Sequence, residues 1–275
     1  EAGEARLKDA ERWLELADPK EAQPDIQSLE TRPEHGRRMV ITNKKQFKSL
    51  HETIAIGRAY IAQSYGNIQE TVRYASQVLG LVPEADPFRR GQASMLLGMT
   101  YWAVGDLEAA KRIFEDYTMK LRKGGNIQDA ISTSVVLADI RKALGHLQEA
   151  IYTIEDLLLF ILDQGGPISP DTADLHRELS DLYLEQWDLE AAAQHSKKSM
   201  DIGEKAEIPV WRYRWYFSQA CFRKVLDDQD GALELLDEAE KLYIRTPLPD
   251  LNPISAMKAR IWVAQGKLTK AMEWV

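Results

Sequence analysis

Tyr101-Trp102-Ala103-Val104-Gly105-Asp106-Leu107-Glu108-Ala109-Ala110 reads as the end of one amphipathic helix, a glycine turn and the start of the next. Gly105 is one member of a series. Glycine recurs at Gly66, Gly145 and Gly266, and Trp187 and Asp227 stand where the spacing asks for two more. The turn positions 66, 105, 145, 187, 227 and 266 are separated by 39, 40, 42, 40 and 39 residues. A period near forty is the mark of a repeat architecture, in which each unit buries its apolar face against its neighbours.

Small residues keep register with the turns. Seven positions before them stand Ala59, Gly98, Ala138, Ser180, Ala220 and Ala259, and five positions after them Thr71, Ala110, Ala150, Ala192, Ala232 and Ala271. Two antiparallel helices joined by a short turn approach closely only where the crossing point carries little side chain. After the turn, Asn67, Asp106, Asp188 and Asp228 are suited to cap the second helix. Breakers separate the hairpins: Val82-Pro83 to Asp86-Pro87, Gly124-Gly125-Asn126, Gly165-Gly166-Pro167, Ile208-Pro209 and Pro247 to Pro253.

Outside this array, residues 1–17 carry one helical stripe (Leu7, Ala10, Trp13, Leu14, Ala17) and read as the trailing helix of a preceding repeat. Residues 18–45, broken by Pro19, Pro24 and Pro33, read as an irregular loop, and 46–275 as the repeat array. The prediction is an all-α chain of thirteen helices: one leading helix and six antiparallel hairpins wound into a right-handed superhelical solenoid. The apolar run Leu157 to Leu162 is too short to span a bilayer and is expected to be buried on both sides of its helix.

Acidic residues number 43 against 35 Lys and Arg, a net charge of −8, the wrong sign for a surface that neutralises phosphates. No direct nucleic-acid contact and no membrane insertion are expected of this segment. The single cysteine, Cys221, rules out an internal disulfide framework and fits a reducing, cytoplasmic setting. The chain opens on Glu1-Ala2-Gly3-Glu4 and stops at Trp274-Val275 with a helical pattern still running, and so reads as a piece of a longer protein.

The spacing of small residue, glycine and alanine is similar to the tetratricopeptide pattern. Tyr101, Tyr183 and Phe114 match its aromatic positions and Pro83 its closing proline, although 39 to 42 residues exceed the family's usual 34. HEAT-type repeats have about this period but do not call for a glycine turn. More narrowly, residues 50–275 resemble the helical-repeat region of the MalT-type, large ATP-binding LuxR-type transcription activators. The segments carrying that resemblance are Phe88 to Ala93 leading into Gly105-Asp106-Leu107, Tyr183 to Ala192 with Trp187 at the turn, Asp230 to Leu233, Leu236 to Glu240, and Gln265 to Ala271 with Trp274. The resemblance implies a signal-sensing arm that binds an effector or a partner, flanked in the full-length regulator by an ATP-binding switch and a helix-turn-helix DNA reader. Neither is visible here: Gly266-Lys267 is followed by Leu268 with Ile261 where a phosphate loop needs glycine. The partners implied are a small effector, a peptide or protein, the other domains of the regulator, and a second copy of the chain.

No enzyme is expected. The five histidines (35, 51, 146, 176, 195) contain no His-x-x-x-His pair, no Gly-x-Ser-x-Gly elbow occurs, and no cofactor or metal is predicted. Contact residues are sought on the first helix of each hairpin, which lines the concave wall of such solenoids. Positions one, four and five after the small residue, and three or six before it, give Met99, Trp102, Asp139, Lys142, Arg177, Asp181, Glu185, Arg214, Phe217 and Lys224. Mixed charges flanked by aromatics suit a polar small ligand, and a peptide equally well, so a general peptide-binding scaffold is the alternative. In the dense stretch Trp211 to Phe217, Tyr213, Tyr216 and Phe217 are expected to contribute to the core, with Trp211 and Arg214 exposed. The basic cluster Arg37, Arg38, Lys44, Lys45 and Lys48 reads as a solvated loop.

Overall fold

The computed structural model describes residues 2–16, 49–84, 86–163, 170–206, 209–243 and 253–273. The stretch 18–45 and its basic cluster lie outside them. Among the described residues every regular element is an α-helix. There are thirteen: α1 (Ala2–Leu16), α2 (Leu50–Ser64), α3 (Ile68–Leu81), α4 (Pro87–Ala103), α5 (Leu107–Lys123), α6 (Ile127–Ala143), α7 (Leu147–Asp163), α8 (Thr172–Glu185), α9 (Leu189–Ala206), α10 (Pro209–Val225), α11 (Gln229–Leu242), α12 (Ile254–Ala264) and α13 (Leu268–Met272). None is long and apolar enough to cross a membrane. The helices group into two compact units, residues 1–100 and 101–275.

The turns form where the spacing places them. Gly66, Gly105, Gly145 and Gly266 have φ between 69° and 82°, and Trp187 and Asp227 share this left-handed backbone at 61° and 62°. At each, the residue after the turn position donates its N–H to the carbonyl five residues back: Asn67 to Ala62, Asp106 to Tyr101, His146 to Arg141, Asp188 to Tyr183, Asp228 to Arg223 and Lys267 to Trp262. This closes the helix C-terminus in the manner of a Schellman motif. For Trp187 and Asp227 the conformation costs roughly 1–2 kcal/mol that glycine would not incur. The caps also form: Asn67, Asp106, Asp188 and Asp228 each accept from a backbone N–H three residues on. Gly125, with φ 73°, gives the link between α5 and α6 the same geometry, so a connection between hairpins copies the turn within them.

In the first unit α1 packs on α2 and α2 on α3. Arg58 of α2 grips both carboxylate oxygens of Glu11, through Nε at 2.8 Å and Nη2 at 2.5 Å. Ala59 and Thr71, the small residues of this hairpin, are buried together with Ala55, Ala75 and Val78. Arg90 caps the end of α3 by donating Nη1 to the carbonyls of Leu79 and Val82.

In the second unit consecutive helices pack as pairs from α5 to α13. Their small residues Ala110, Ala138, Ala150, Ala192 and Ala232 have no exposed surface, and Ser180 donates Oγ to the carbonyl of Ala192 at 2.9 Å, joining two crossing-point residues directly. One apolar core runs through Leu121, Ile131, Ile154, Leu157, Leu175, Leu179 and Leu182, and another through Leu236, Ile254 and Ile261.

The packing differs from expectation at two places. The run Leu157 to Leu162 is not buried on both sides: Leu157 and Ile161 face the core, whereas Leu159 and Leu162 are 65% and 60% exposed. Helix α7 therefore has one apolar stripe turned outward. Trp211 is interior rather than exposed. Its Nε1 donates to Ser199 Oγ at 3.0 Å, and Ser199 in turn donates to the carbonyl of Ala173. The indole lies so close to Gly203 that a Cβ there would sit 2.2 Å from Trp211 Cε2. Glycine is required at that point on α9 for lack of space.

Candidate functional site

Three first helices, α6, α8 and α10, lie side by side in the second unit. Along α8 the residues Asp174, Arg177, Glu178 and Asp181 are spaced i, i+3, i+4 and i+7, which puts them on one stripe. The Arg177 guanidinium is the hub. It donates Nε to Asp174 at 3.1 Å, Nη1 to Asp181 at 2.8 Å and Nη2 to Glu178 at 3.1 Å. From α10, Arg214 reaches the other oxygen of Asp174 at 3.0 Å, and Ser218 donates to the other oxygen of Asp181. From α6, Asp139 and Lys142 form an ion pair at 3.0 Å.

The site is unusually dry for its charge. The side chains of Arg177 and Glu178 are 10% and 2% exposed. Burial pushes the Glu178 carboxyl up to about 8, helped by the neighbouring Asp139 and opposed by Arg177 and Lys142. Burial also raises Asp181, against the pull of the same two cations and the Ser218 hydroxyl. Burial works against the Lys142 ammonium, but Asp139, Glu178 and Asp181 outweigh it and hold its pKa above that of an ordinary lysine. The Cys221 thiol beside them is pushed up to about 12 by burial and by Asp181. One polar atom is left over: Glu178 Oε1 is buried with no hydrogen-bond partner among the described residues. A buried polar atom left unpaired is costly and is ordinarily met by a water, an ion or a ligand.

Of the ten residues the repeat register selects, five meet here: Asp139, Lys142, Arg177, Asp181 and Arg214. Lys224 and Glu185 act on the same region through charge, at Cys221. Phe217, half-buried, packs against the core of α10 to α12 rather than joining the ion network. Trp102 is half-buried at the end of α4. Met99 is 4% exposed and offers no open contact surface. Asp174, Glu178 and Ser218 complete the network and were not selected. Asp174 was within reach, since it lies six residues before Ser180 and fits the rule that gives Arg214.

A second polar pair joins α8 to α9. His176 Nδ1 and His195 Nδ1 stand 3.0 Å apart, one donating and the other accepting. Tyr183 stacks on His195 and donates its hydroxyl to Glu155 of α7 at 2.8 Å. Burial, His195 and Lys198 lower His176 to about 4, and burial with Lys198 lowers His195, so both rings are neutral at pH 7. Nineteen residues separate these histidines, so no local motif could have paired them. Among the described residues no three His, Cys, Asp or Glu side chains group to hold a metal ion.

Consecutive helix hairpins with small crossing residues and left-handed turns define a tetratricopeptide-like helical repeat. The model of the MalT-like TPR region matches residues 52–275, and the chain belongs to that family. No curated protein matches the chain. Three solved structures share the fold. Aspartyl phosphate phosphatase F from Bacillus subtilis is 15% identical with a TM-score of 0.61, over 85% of this chain and 59% of that one. BtubC (BKLC) from P. vanneervenii is 16% identical with a TM-score of 0.59, over 92% and 98%. A putative kinesin light chain with TPR-like repeats from Podosopora anserina is 18% identical with a TM-score of 0.52, over 70% and 95%. The chain thus spans about three fifths of the phosphatase's length. At these identities the likeness is one of fold.

Proposed function

We propose that this chain is the signal-sensing and protein-interaction repeat domain of a cytoplasmic LuxR/MalT-type transcription regulator, non-enzymatic by itself, which binds an effector or partner on the face formed by α6, α8 and α10. The observation that carries this reading is the ion network centred on Arg177, with Glu178 Oε1 buried and unpaired inside it. Family membership supports the regulatory context, and the mixture of signs supports a polar ligand rather than an apolar one. Arg214, 41% exposed in its side chain, and the half-buried Asp174 are the residues an incoming ligand meets first. In the full-length protein the response passes to the flanking domains or to a second copy of the chain. The alternative use of the same face is to hold a peptide or protein segment with no small effector.

Isothermal titration of the chain with a panel of oligosaccharides, amino acids and short peptides of both charge signs tests the proposal. A saturable heat that disappears in Arg214→Ala and Asp174→Asn, with the fold retained by circular dichroism, is the expected result. Binding restricted to peptides selects the scaffold reading, and uniform silence across the panel removes the effector.

A further inference from the structure

The second unit holds another feature, remote in kind from the dry network. A cleft of about 410 Å³ opens between the second helices α5 and α7, with Ser134, Leu137 and Arg141 of α6 as its floor. Such a volume falls within the range of small-molecule pockets. Its walls divide by chemistry. Met119, Leu137, Tyr152 and Phe160 supply apolar surface, and Tyr152 and Met119 are 66% and 48% exposed, so that surface is open to an incoming molecule.

The polar wall is rich in donors. Arg122, Lys123 and Arg141 face Glu115 and Asp156, three positive charges against two negative on a chain whose net charge is −8. Asp156 takes one bond from Arg122 Nη1 at 2.5 Å, and Glu115 takes one from Arg141 Nη2 at 2.7 Å. The Arg122 guanidinium also lies 4.6 Å from the centre of the Phe160 ring, which sets the charge against the apolar wall. Arg141 Nη1 donates to Thr153 and to the carbonyl of Glu149, and its Nε lies 3.8 Å from the Glu149 carboxylate, so this guanidinium is taken up by the fold. Lys123 has no acidic partner among the described residues. Lys123, and Arg122 with one carboxylate bond, thus stand beside exposed apolar surface, an arrangement complementary to an anion with an apolar body.

We infer that the α5–α7 cleft binds a small organic carboxylate bearing an aromatic or acyl body, its carboxylate at Arg122 and Lys123 and its body against Tyr152, Phe160 and Met119. The site is separate from the α6, α8 and α10 face and does not depend on what that face binds.

Three probes of matched size separate charge from apolar contact: 3-phenylpropionate, 3-phenylpropanol and 3-phenylpropylamine, each titrated calorimetrically and by saturation-transfer NMR. The expected order is propionate above alcohol by about tenfold, with the amine weakest. Lys123→Met, on an exposed side chain outside any ion pair among the described residues, and Tyr152→Ala, on an exposed ring, are both expected to weaken propionate binding at least about threefold while the melting temperature is unchanged. Lys123→Arg restores it. Equal affinity for the three probes, no binding of the propionate, or propionate binding indifferent to both variants would each overturn the inference. Arg214→Ala, which alters the other face, is expected to leave propionate binding as it is.

Discussion

The α6, α8 and α10 face and the α5–α7 cleft draw on the same side-chain types within one unit and use them in opposite ways. On the first, helices packed side by side squeeze water from Arg177 and Glu178, and each nitrogen of the guanidinium donates to a carboxyl group of the same stripe. On the second, Arg122 and Asp156 also pair, but with side chains 28% and 37% exposed, next to a cavity. A buried pair is held by the penalty for breaking it, an exposed one by little more than proximity in water. The lesson is that an arginine bonded to an aspartate means different things at the two places, and burial decides which.

The widest gap between the two regions should appear on removing their arginines. Arg177→Met removes the buried hub, leaving Asp181 with Ser218 and Asp174 with Arg214 as their remaining donors and Glu178 with none from the guanidinium, and is expected to destabilise by about 3–5 kcal/mol in urea or thermal unfolding. A cost under about 1 kcal/mol would show that water reaches the network and would dissolve the contrast.

The pH response sharpens it next. Glu178 holds its proton up to about 8 in the folded chain, well above an unfolded glutamate near 4.5. Between those values the folded state binds a proton that the unfolded state has released, so this group's contribution is full below about 4.5 and lost as the pH rises towards 8. Comparing the melting temperatures of parent and Glu178→Gln from pH 5 to 8 isolates the effect, with the parent expected to fall relative to the variant as pH rises. Parallel curves would mean that Glu178 is already ionised in the folded chain across this range, its charge held by Arg177 and Lys142. The histidine pair works in the other direction. With His176 lowered to about 4, its contribution is present above the unfolded value near 6.5 and fades as the pH falls towards 4.

The smallest effect belongs to the cleft. Arg122→Ala is expected to cost no more than about 1 kcal/mol, because the pair with Asp156 is half in water. A loss comparable to that of Arg177→Met would place the cleft in the same class as the buried network.

Much of this was legible in one dimension because repeats restate their constraints. Each turn position, small residue and cap is a local requirement of a close hairpin, and Trp187 and Asp227 could be assigned to turns from spacing alone although neither is glycine. The site was partly legible by the same register, which leads to Arg177, Asp181 and Arg214. Glu178 escaped it because a residue two places before the crossing point points into the packing, where a carboxylate is not expected. Trp211 escaped for a related reason: nothing near it in the chain discloses that Gly203 leaves it room and that Ser199 accepts its N–H. Leu159 and Leu162 mislead in the opposite sense, since an unbroken apolar run carries no information about which side lacks a neighbour.

What the sequence by itself determined is therefore the all-α class, the hairpin period and the position of each left-handed turn, because these depend on contacts a few residues apart. Tertiary structure alone decided which charges are dry, which histidines meet and where a cavity stays open. Those outcomes depend on side chains from different hairpins, such as Asp174 with Arg214 forty residues on, and the energy of a charge is set less by its neighbours in the chain than by the water its neighbours in space exclude.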